Sequence, residues 1–285
     1  MEEKVVLITG ANAGIGKATA LALAKLGATV VMTARNKEKG LLAQREVQEK
    51  SGNSNVDLLI SDFSVLEQVR SLATNFLAKY DRLDVLINNA GLILSERKET
   101  IDGNEVTIQV NHLAPFLLTS LLMDVLRVSP GARVINVSSD AHRAANTIGK
   151  NIDELNFAKG YSAFGAYSQS KLANVLFSRE LAKRLEPEGI MVNSLHPGVV
   201  RTRFGIDGDI SGIFRFALML LRPFMSTPKT GAKTSVFLAS SPKVEGVTGK
   251  YFARSKPVDP SEAASSDSLA TSLWELSNTL TGAAW

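Results

Sequence analysis

The chain of 285 residues contains no cysteine, which excludes disulfide frameworks, thiolate metal sites and cysteine nucleophiles. Histidine is nearly as scarce: the three present, His112, His142 and His196, are dispersed, and no two have metal-ligand spacing. No metal centre is expected, and no Ser-His-Asp triad. His196 is expected to pack beside a functional site, and His142 to border its opening. An excess of one charge is also lacking. Thirty-two Lys and Arg against 28 Asp and Glu leave +4 spread along the chain, without the basic stripe that nucleic acid or an anionic membrane surface calls for. Long hydrophobic runs are missing too. Val5–Ile8, after Met-Glu-Glu-Lys, is a strand's length and too short for a signal-peptide core. The most apolar stretch, Ile213 to Met225, is interrupted by Arg215, Arg222 and Pro223 and is too short to span a bilayer. These absences predict a cytoplasmic protein with no transmembrane anchor and no nucleic-acid partner.

What is present is an ordinary globular composition, 45% hydrophobic and 21% charged, at a length that allows a sizeable core. Short β-branched runs at Val5–Thr9, Thr29–Ala34, Val56–Ser61, Leu83–Asn88, Arg133–Ser138 and Ile190–Leu195 read as buried strands, with a seventh at Val247–Phe252. Between them lie helical patterns at Ile15–Leu26, Lys37–Lys50, Leu66–Lys79, Val106–Leu126, Tyr167–Leu185 and Pro228–Ser240, and an amphipathic tail at Leu269–Leu280 carrying Trp274. Near-continuous apolar strands need cover on both faces. The alternation therefore predicts an α/β fold, a single-domain doubly wound parallel sheet of about seven strands over residues 1–285, rather than a barrel of eight units. Residues 140–166 and 199–227 break the rhythm. The second is predicted to be a substrate lid, with a surface helix or an oligomer contact as the alternatives.

The first strand runs into Gly10-Ala11-Asn12-Ala13-Gly14-Ile15-Gly16 and then into a helix. Glycines allow a tight turn and close approach of the backbone to a ligand, and the helix N-terminus offers N–H groups to an anion. A dinucleotide pyrophosphate is the expected guest, with Asn12 and Ile15 in the same turn. At the end of the second strand an acid would select NAD through the ribose 2′-hydroxyl. The residues there are Thr33-Ala34-Arg35-Asn36, and Arg35 can instead meet the 2′-phosphate of NADP bidentately.

Tyr167-Ser168-Gln169-Ser170-Lys171 opens the helical pattern at 167, with Tyr167 and Lys171 on one face. A cation beside a phenol favours the phenolate and lowers its pKa, which suits the tyrosine to proton transfer.

Thr9-Gly10-x-x-x-Gly14-x-Gly16, Asp62, Asn88-Asn89-Ala90-Gly91, Asn111, Ser139, Tyr167-x-x-x-Lys171 and Pro197-Gly198 together resemble the short-chain dehydrogenase/reductase family, a Rossmann-type fold. Within it, Asn136-Val137-Ser138-Ser139, Ser170-Lys171-Leu172-Ala173-Asn174 and His196-Pro197-Gly198 are similar to retinol-dehydrogenase-like and carbonyl-reductase-like members. The animal ones commonly carry a membrane anchor that is not expected here. The resemblance implies that Tyr167 exchanges a proton with the substrate oxygen and that Lys171 lowers the phenol pKa and holds the nicotinamide ribose. It implies that Ser139 polarises the oxygen, with Ser138 a backbone-bonded neighbour, and that Asn111 supports a water linking Lys171 to solvent. Asp62 and Phe63 would meet the adenine, with helix capping an alternative role for Asp62. Asn89, Ala90 and Gly91 would line the middle of the cofactor, and Pro197, Gly198 and Thr202 its carboxamide. An NADP(H)-dependent oxidoreductase of alcohols, aldehydes or ketones follows, and a homodimer or homotetramer. Apolar residues in the lid segment (Phe204, Ile206, Ile213, Phe214, Phe216, Leu218, Met219, Leu220) favour a small hydrophobic substrate. Reduction of a carbon–carbon double bond and a non-catalytic NADP-binding sensor are the competing functions.

Overall fold

Consecutive apolar residues form strands here because each strand is covered from both sides. The computed structural model describes residues 1–145, 155–157, 159–200 and 225–285. In it β1 (Val5–Ile8) is buried along its length, with Val5 and Leu7 in one apolar layer and Val6 and Ile8 in the other. Beside it lie β2 (Thr29–Ala34) and β3 (Val56–Ile60) on one flank. On the other are β4 (Val85–Asn88), β5 (Arg133–Val137), β6 (Met191–His196) and β7 (Tyr251–Ala253). The order is β3-β2-β1-β4-β5-β6-β7, all parallel.

Helices α1 (Gly14–Lys25), α2 (Lys37–Ser51) and, near the other end of the chain, Pro228–Ser240 bury their apolar faces against the layer of Val6 and Ile8. The opposite face is covered by α3 (Leu66–Leu77), by the segment from α4 (Val106–Ile108) through α5 (Ala114–Leu121) to α6 (Met123–Arg127), and by α7 (Ala163–Leu185). The helix Pro228–Ser240 is α8, and the tail forms α9 (Asp267–Thr281). Trp274 of α9 completes an aromatic cluster with Phe116, Phe177 and Trp285, ring centroids 4.4–6.1 Å apart. The fold is the expected doubly wound single-domain α/β arrangement. Among the described residues no helix is long and apolar enough to cross a membrane.

Four details differ from the sequence expectation. The helix expected over 106–126 contains a π turn at Gln109–Leu113, where the Ala114 N–H reaches back to the Gln109 carbonyl. Pro115 follows and cannot donate the α-helical bond to the Asn111 carbonyl. Helix α7 begins at Ala163 rather than Tyr167, because Ser162 Oγ accepts the Gly165 N–H at 3.1 Å and caps it a turn earlier. Strand β7 is shorter and later than Val247–Phe252, since Gly246 and Gly249 take φ of 72° and 70° and turn the chain. Finally, an antiparallel β8 (Lys256–Pro257) pairs with β7 through a two-residue turn whose Arg254 and Ser255 both have positive φ, 50° and 60°.

At the N-terminal edge of the sheet, the buried Asp84 ties the starts of the strands together. It accepts from the Val5 N–H at 2.9 Å, Lys4 Nζ at 2.9 Å and Arg82 Nη2 at 2.6 Å. Burial alone would raise its pKa, but the hydrogen bonds from Arg82, Lys4 and Val5 outweigh it and the carboxyl titrates below its usual range. A depressed folded-state pKa contributes stability above the unfolded-state value of about 3.9, lost as pH falls through the lower folded value. Asp84→Asn should therefore cost about 2 kcal/mol in denaturant unfolding at pH 7, and the difference from wild type should shrink below about pH 4. An equal difference at both pH values would contradict this account of Asp84.

Candidate active site

The winding of the sheet reverses between β1 and β4, so the loops leaving these strands diverge and open a crevice beyond their C-terminal ends. A cavity of about 430 Å³ occupies this position, and Gly10, Asn12, Gly14, Ile15 and Gly16 form part of its wall. Gly10 has φ of 63°, and a Cβ there would lie 2.9 Å from the Ala90 Cα. A Cβ on Gly16 would lie 2.5 Å from both Asn89 Nδ2 and the Gly10 carbonyl. The turn is thus folded tightly against the chain that leaves β4. Thr9 Oγ1 accepts the Asn89 and Ala90 N–H groups, each at 2.9 Å, while Asn89 Nδ2 donates to the Thr9 and Gly10 carbonyls at 2.8 and 3.2 Å. Helix α1 starts from Ala13, which has no side chain to cap it, and its first-turn residues belong to the cavity wall. A glycine-rich turn leading into a helix start that no side chain caps fits a pyrophosphate.

One end of the cavity is basic. Arg35 leaves β2 exposed, and Asn36 and Lys39 line the wall with it. Asn36 Oδ1 caps α2 by accepting the Lys39 N–H at 2.9 Å, which sets Lys39 one turn beyond Arg35. Sequence reading missed Lys39, although its spacing from Arg35 across a helix cap was visible. It also missed Thr33, whose Oγ1 accepts the Gly10 N–H at 3.1 Å. Asp62 and Phe63 line the same end. Asp62 does not cap α3: its Oδ1 takes the Ser64 N–H and hydroxyl at 2.9 and 2.8 Å, turning its own loop. The Leu66 N–H at the start of α3 goes to Asp102 Oδ2 at 2.9 Å instead.

Asn89, Ala90, Gly91, Pro197 and Gly198 form the middle of the wall, and Ser139, Tyr167 and Lys171 the far end. Lys171 is buried, with Nζ donating to the Val137 carbonyl at 3.0 Å and lying 5.6 Å from the Tyr167 ring centroid. Desolvation lowers its pKa to about 8. Burial pushes the Tyr167 phenol up to about 12, while its hydrogen bond with the Ser139 side chain acts the other way. In the protein alone burial is the larger of the two influences on this phenol, and the one that opposes it comes from Ser139. Ser139 Oγ also accepts the Ala141 N–H at 3.2 Å, and Ser138 Oγ donates to the Lys171 carbonyl at 2.6 Å.

Asn111 sits behind the wall rather than on it. Its side chain clamps the chain after β4, accepting the Leu92 N–H at 2.7 Å and donating to the Leu92 carbonyl and Ser170 Oγ, both at 2.9 Å. The histidines are structural by geometry. His112 is buried between Phe116 and Phe177 and bonded to Ser277 at 2.8 Å, and His196 stacks on Tyr251 at 5.7 Å. His142 does not border the opening, because its ring is fully buried. Thr202 and the apolar residues from Phe204 to Leu220 lie outside the described residues. The flanks of that segment meet, with Val200 and Ser226 in a parallel bridge and Val200 on the cavity wall.

A family model described as short chain dehydrogenase matches residues 4–150 and 151–207. Human retinol dehydrogenase 14 is 42% identical over 296 residues, covering 99% of this chain and 87% of its own length, and human retinol dehydrogenase 12 is 44% identical with the same coverage. Among solved structures, an uncharacterized protein from Mycobacterium paratuberculosis superposes with a TM-score of 0.78 at 33% identity, covering 99% of this chain and 94% of that one. A short chain dehydrogenase from Shigella flexneri complexed with NADP gives 0.68 at 26% identity, with 90% and 98% covered. With its cradle, its Tyr167–Lys171 face and these relatives, the chain belongs to the short chain dehydrogenase family and is an oxidoreductase that works with a nicotinamide cofactor.

Proposed function

We propose that the protein interconverts a hydrophobic alcohol and its aldehyde or ketone with NADP(H), using Tyr167 as the general acid and base. The observation that carries this is the single cavity joining the glycine cradle, the exposed Arg35 and the Tyr167–Ser139 hydrogen bond. The retinol dehydrogenase relatives point to an apolar alcohol or carbonyl substrate.

Gly10, Gly14 and Gly16 with the start of α1 would hold the pyrophosphate, Arg35 and Lys39 the 2′-phosphate, and Asp62 and Phe63 the adenine end. Asn89, Ala90, Gly91, Pro197 and Gly198 would carry the remainder as far as the nicotinamide. When bound, the dinucleotide supplies or takes the hydride. Ser139 Oγ hydrogen-bonds the substrate oxygen and orients it toward the Tyr167 hydroxyl. During reduction Tyr167 donates its proton to that oxygen as the carbon–oxygen bond becomes single. Lys171, an ammonium at neutral pH, stabilises the phenolate so formed. The proton is then replaced from solvent along Lys171 and a water on the Asn111 carbonyl, which Pro115 leaves without its α-helical donor.

The first test is loss of NADPH absorbance over a panel of aldehydes and ketones. Tyr167→Phe should lower turnover by about 10²- to 10⁴-fold while NADPH binding, read by fluorescence, stays within about twofold of wild type. Retained turnover would sink the role of Tyr167. Arg35→Ser removes a charge-assisted contact and should raise the Kd for NADPH about 10- to 100-fold while barely moving that for NADH. Equal loss for both cofactors would reject the 2′-phosphate assignment. Because burial holds Tyr167 protonated, at about 12, reduction needs no ionisation at neutral pH, whereas oxidation needs the phenolate. Oxidative kcat/KM should climb from about pH 7 to about pH 9 with reductive kcat/KM nearly flat below about pH 8. An oxidation rate independent of pH over that range would rule out a phenolate base.

A further inference from the structure

His142 lies three residues after Ser139 in the 3₁₀ turn Asp140–Ala144, and both of its ring nitrogens are engaged. Nε2 is 3.0 Å from the Ser261 main-chain nitrogen, which can only donate, so Nε2 is the acceptor. The ring proton therefore sits on Nδ1 and is donated to the Ser139 carbonyl at 2.8 Å. That carbonyl takes a second bond from the His142 main-chain N–H at 3.1 Å. The Tyr251 ring packs edge-on against the imidazole, centroids 4.9 Å apart at 65°, and its hydroxyl lies 3.4 Å from Nδ1, a longer contact than the 2.8 Å bond to the Ser139 carbonyl. Asp140 and Arg143 flank the ring in sequence but pair with each other at 3.0 Å, and Arg143 reaches the Asp259 carbonyl at 2.6 Å. Residues 259–261 are thus bonded to the turn that follows Ser139 at two points, one of them through His142.

We propose that His142 is a positioning residue for Ser139: by gripping the Ser139 carbonyl on one side and the Ser261 main chain on the other, it fixes the rotation of the serine backbone and so aims Oγ at Tyr167. A carbonyl held by two donors from one residue cannot swing without breaking both bonds. The Cα–Cβ bond of Ser139 leaves from the same Cα, so its direction follows, and the Ala141 N–H at 3.2 Å then holds Oγ about that bond. The imidazole proton is committed to this grip, and His142 does not act as an acid or base.

This rests on the reading of Ser139 as the hydroxyl that holds the substrate oxygen, and the experiment separates the two. Ser139→Ala, His142→Phe and the double variant are compared by kcat and KM, using NADPH and the fastest carbonyl compound of the panel. NADPH fluorescence and thermal midpoints are recorded alongside. His142→Phe keeps a ring against Tyr251 but loses the bonds to the Ser139 carbonyl and the Ser261 main chain, and with them the 3.4 Å contact with the Tyr251 hydroxyl. It should lower kcat by up to about 100-fold, with NADPH affinity unchanged. In the Ser139→Ala background it should cost no more than about twofold further, because the group it aims is already gone. His142→Asn, whose amide reaches the Ser139 carbonyl, should retain most of kcat, whereas His142→Gln, which reaches only toward Ser261, should not. The Asn and Gln pair decides the matter even if His142→Phe does not fold. Multiplying losses in the double variant, a wild-type kcat for His142→Phe, or equal kcat for Asn and Gln would overturn the proposal. Full turnover in Ser139→Ala alone would instead reject the role of Ser139, and this inference with it.

Discussion

The fit of the β1–α1 turn against the chain leaving β4 is the constraint on which the site depends. Thr9 and Asn89 exchange main-chain and side-chain hydrogen bonds across the switch point, and no side chain fits at Gly10 or Gly16. Because that junction is closed, the N-terminus of α1 and residues 89–91 form one continuous wall. A looser turn would separate the glycine turn from residues 89–91, and the cavity would no longer be continuous between them.

The end of the cavity that holds Tyr167 and Lys171 depends on the same junction through Asn111. Its amide grips Leu92, just past Gly91, and also bonds Ser170, which lies beside Lys171 in α7. The π turn at Gln109–Leu113 rotates the chain locally, and Pro115 keeps it from relaxing into regular helix. Asn111 therefore couples the strand-end loop to the helix that carries Tyr167. The burial that raises the Tyr167 pKa and lowers that of Lys171 comes from the same packing. In the protein alone the two groups are poised as acid and ammonium rather than as a preformed phenolate pair.

Much of this was legible in the chain itself. The doubly wound parallel sheet followed from alternating apolar runs, and the glycine spacing, Arg35, Ser139, Tyr167 and Lys171 all reached the wall of one cavity. Local signals failed where tertiary contacts decided the outcome. The Arg254–Ser255 hairpin has no glycine or asparagine to announce it, and its positive φ values are held partly by the bond from the Ser255 N–H to Thr234 Oγ1. Asp62 has the residue type and position of a helix cap, yet Asp102, far along the chain, took that place. His142 reads as a polar residue at an opening and proved to be buried, because Ser261 and Tyr251 close over it from the end of the chain.

The sequence by itself determined the layering, the glycine turn and the side chains that meet on one cavity wall, since these depend on periodicity, on the absence of a Cβ and on residue spacing. Tertiary structure alone decided the state of those groups: which carboxylate caps α3, which histidine nitrogen carries the proton, and how far burial shifts Tyr167 and Lys171. The physical reason is that protonation and hydrogen-bond partnership are set by desolvation and by neighbours remote in the chain, 119 residues apart for His142 and Ser261, which no local pattern encodes.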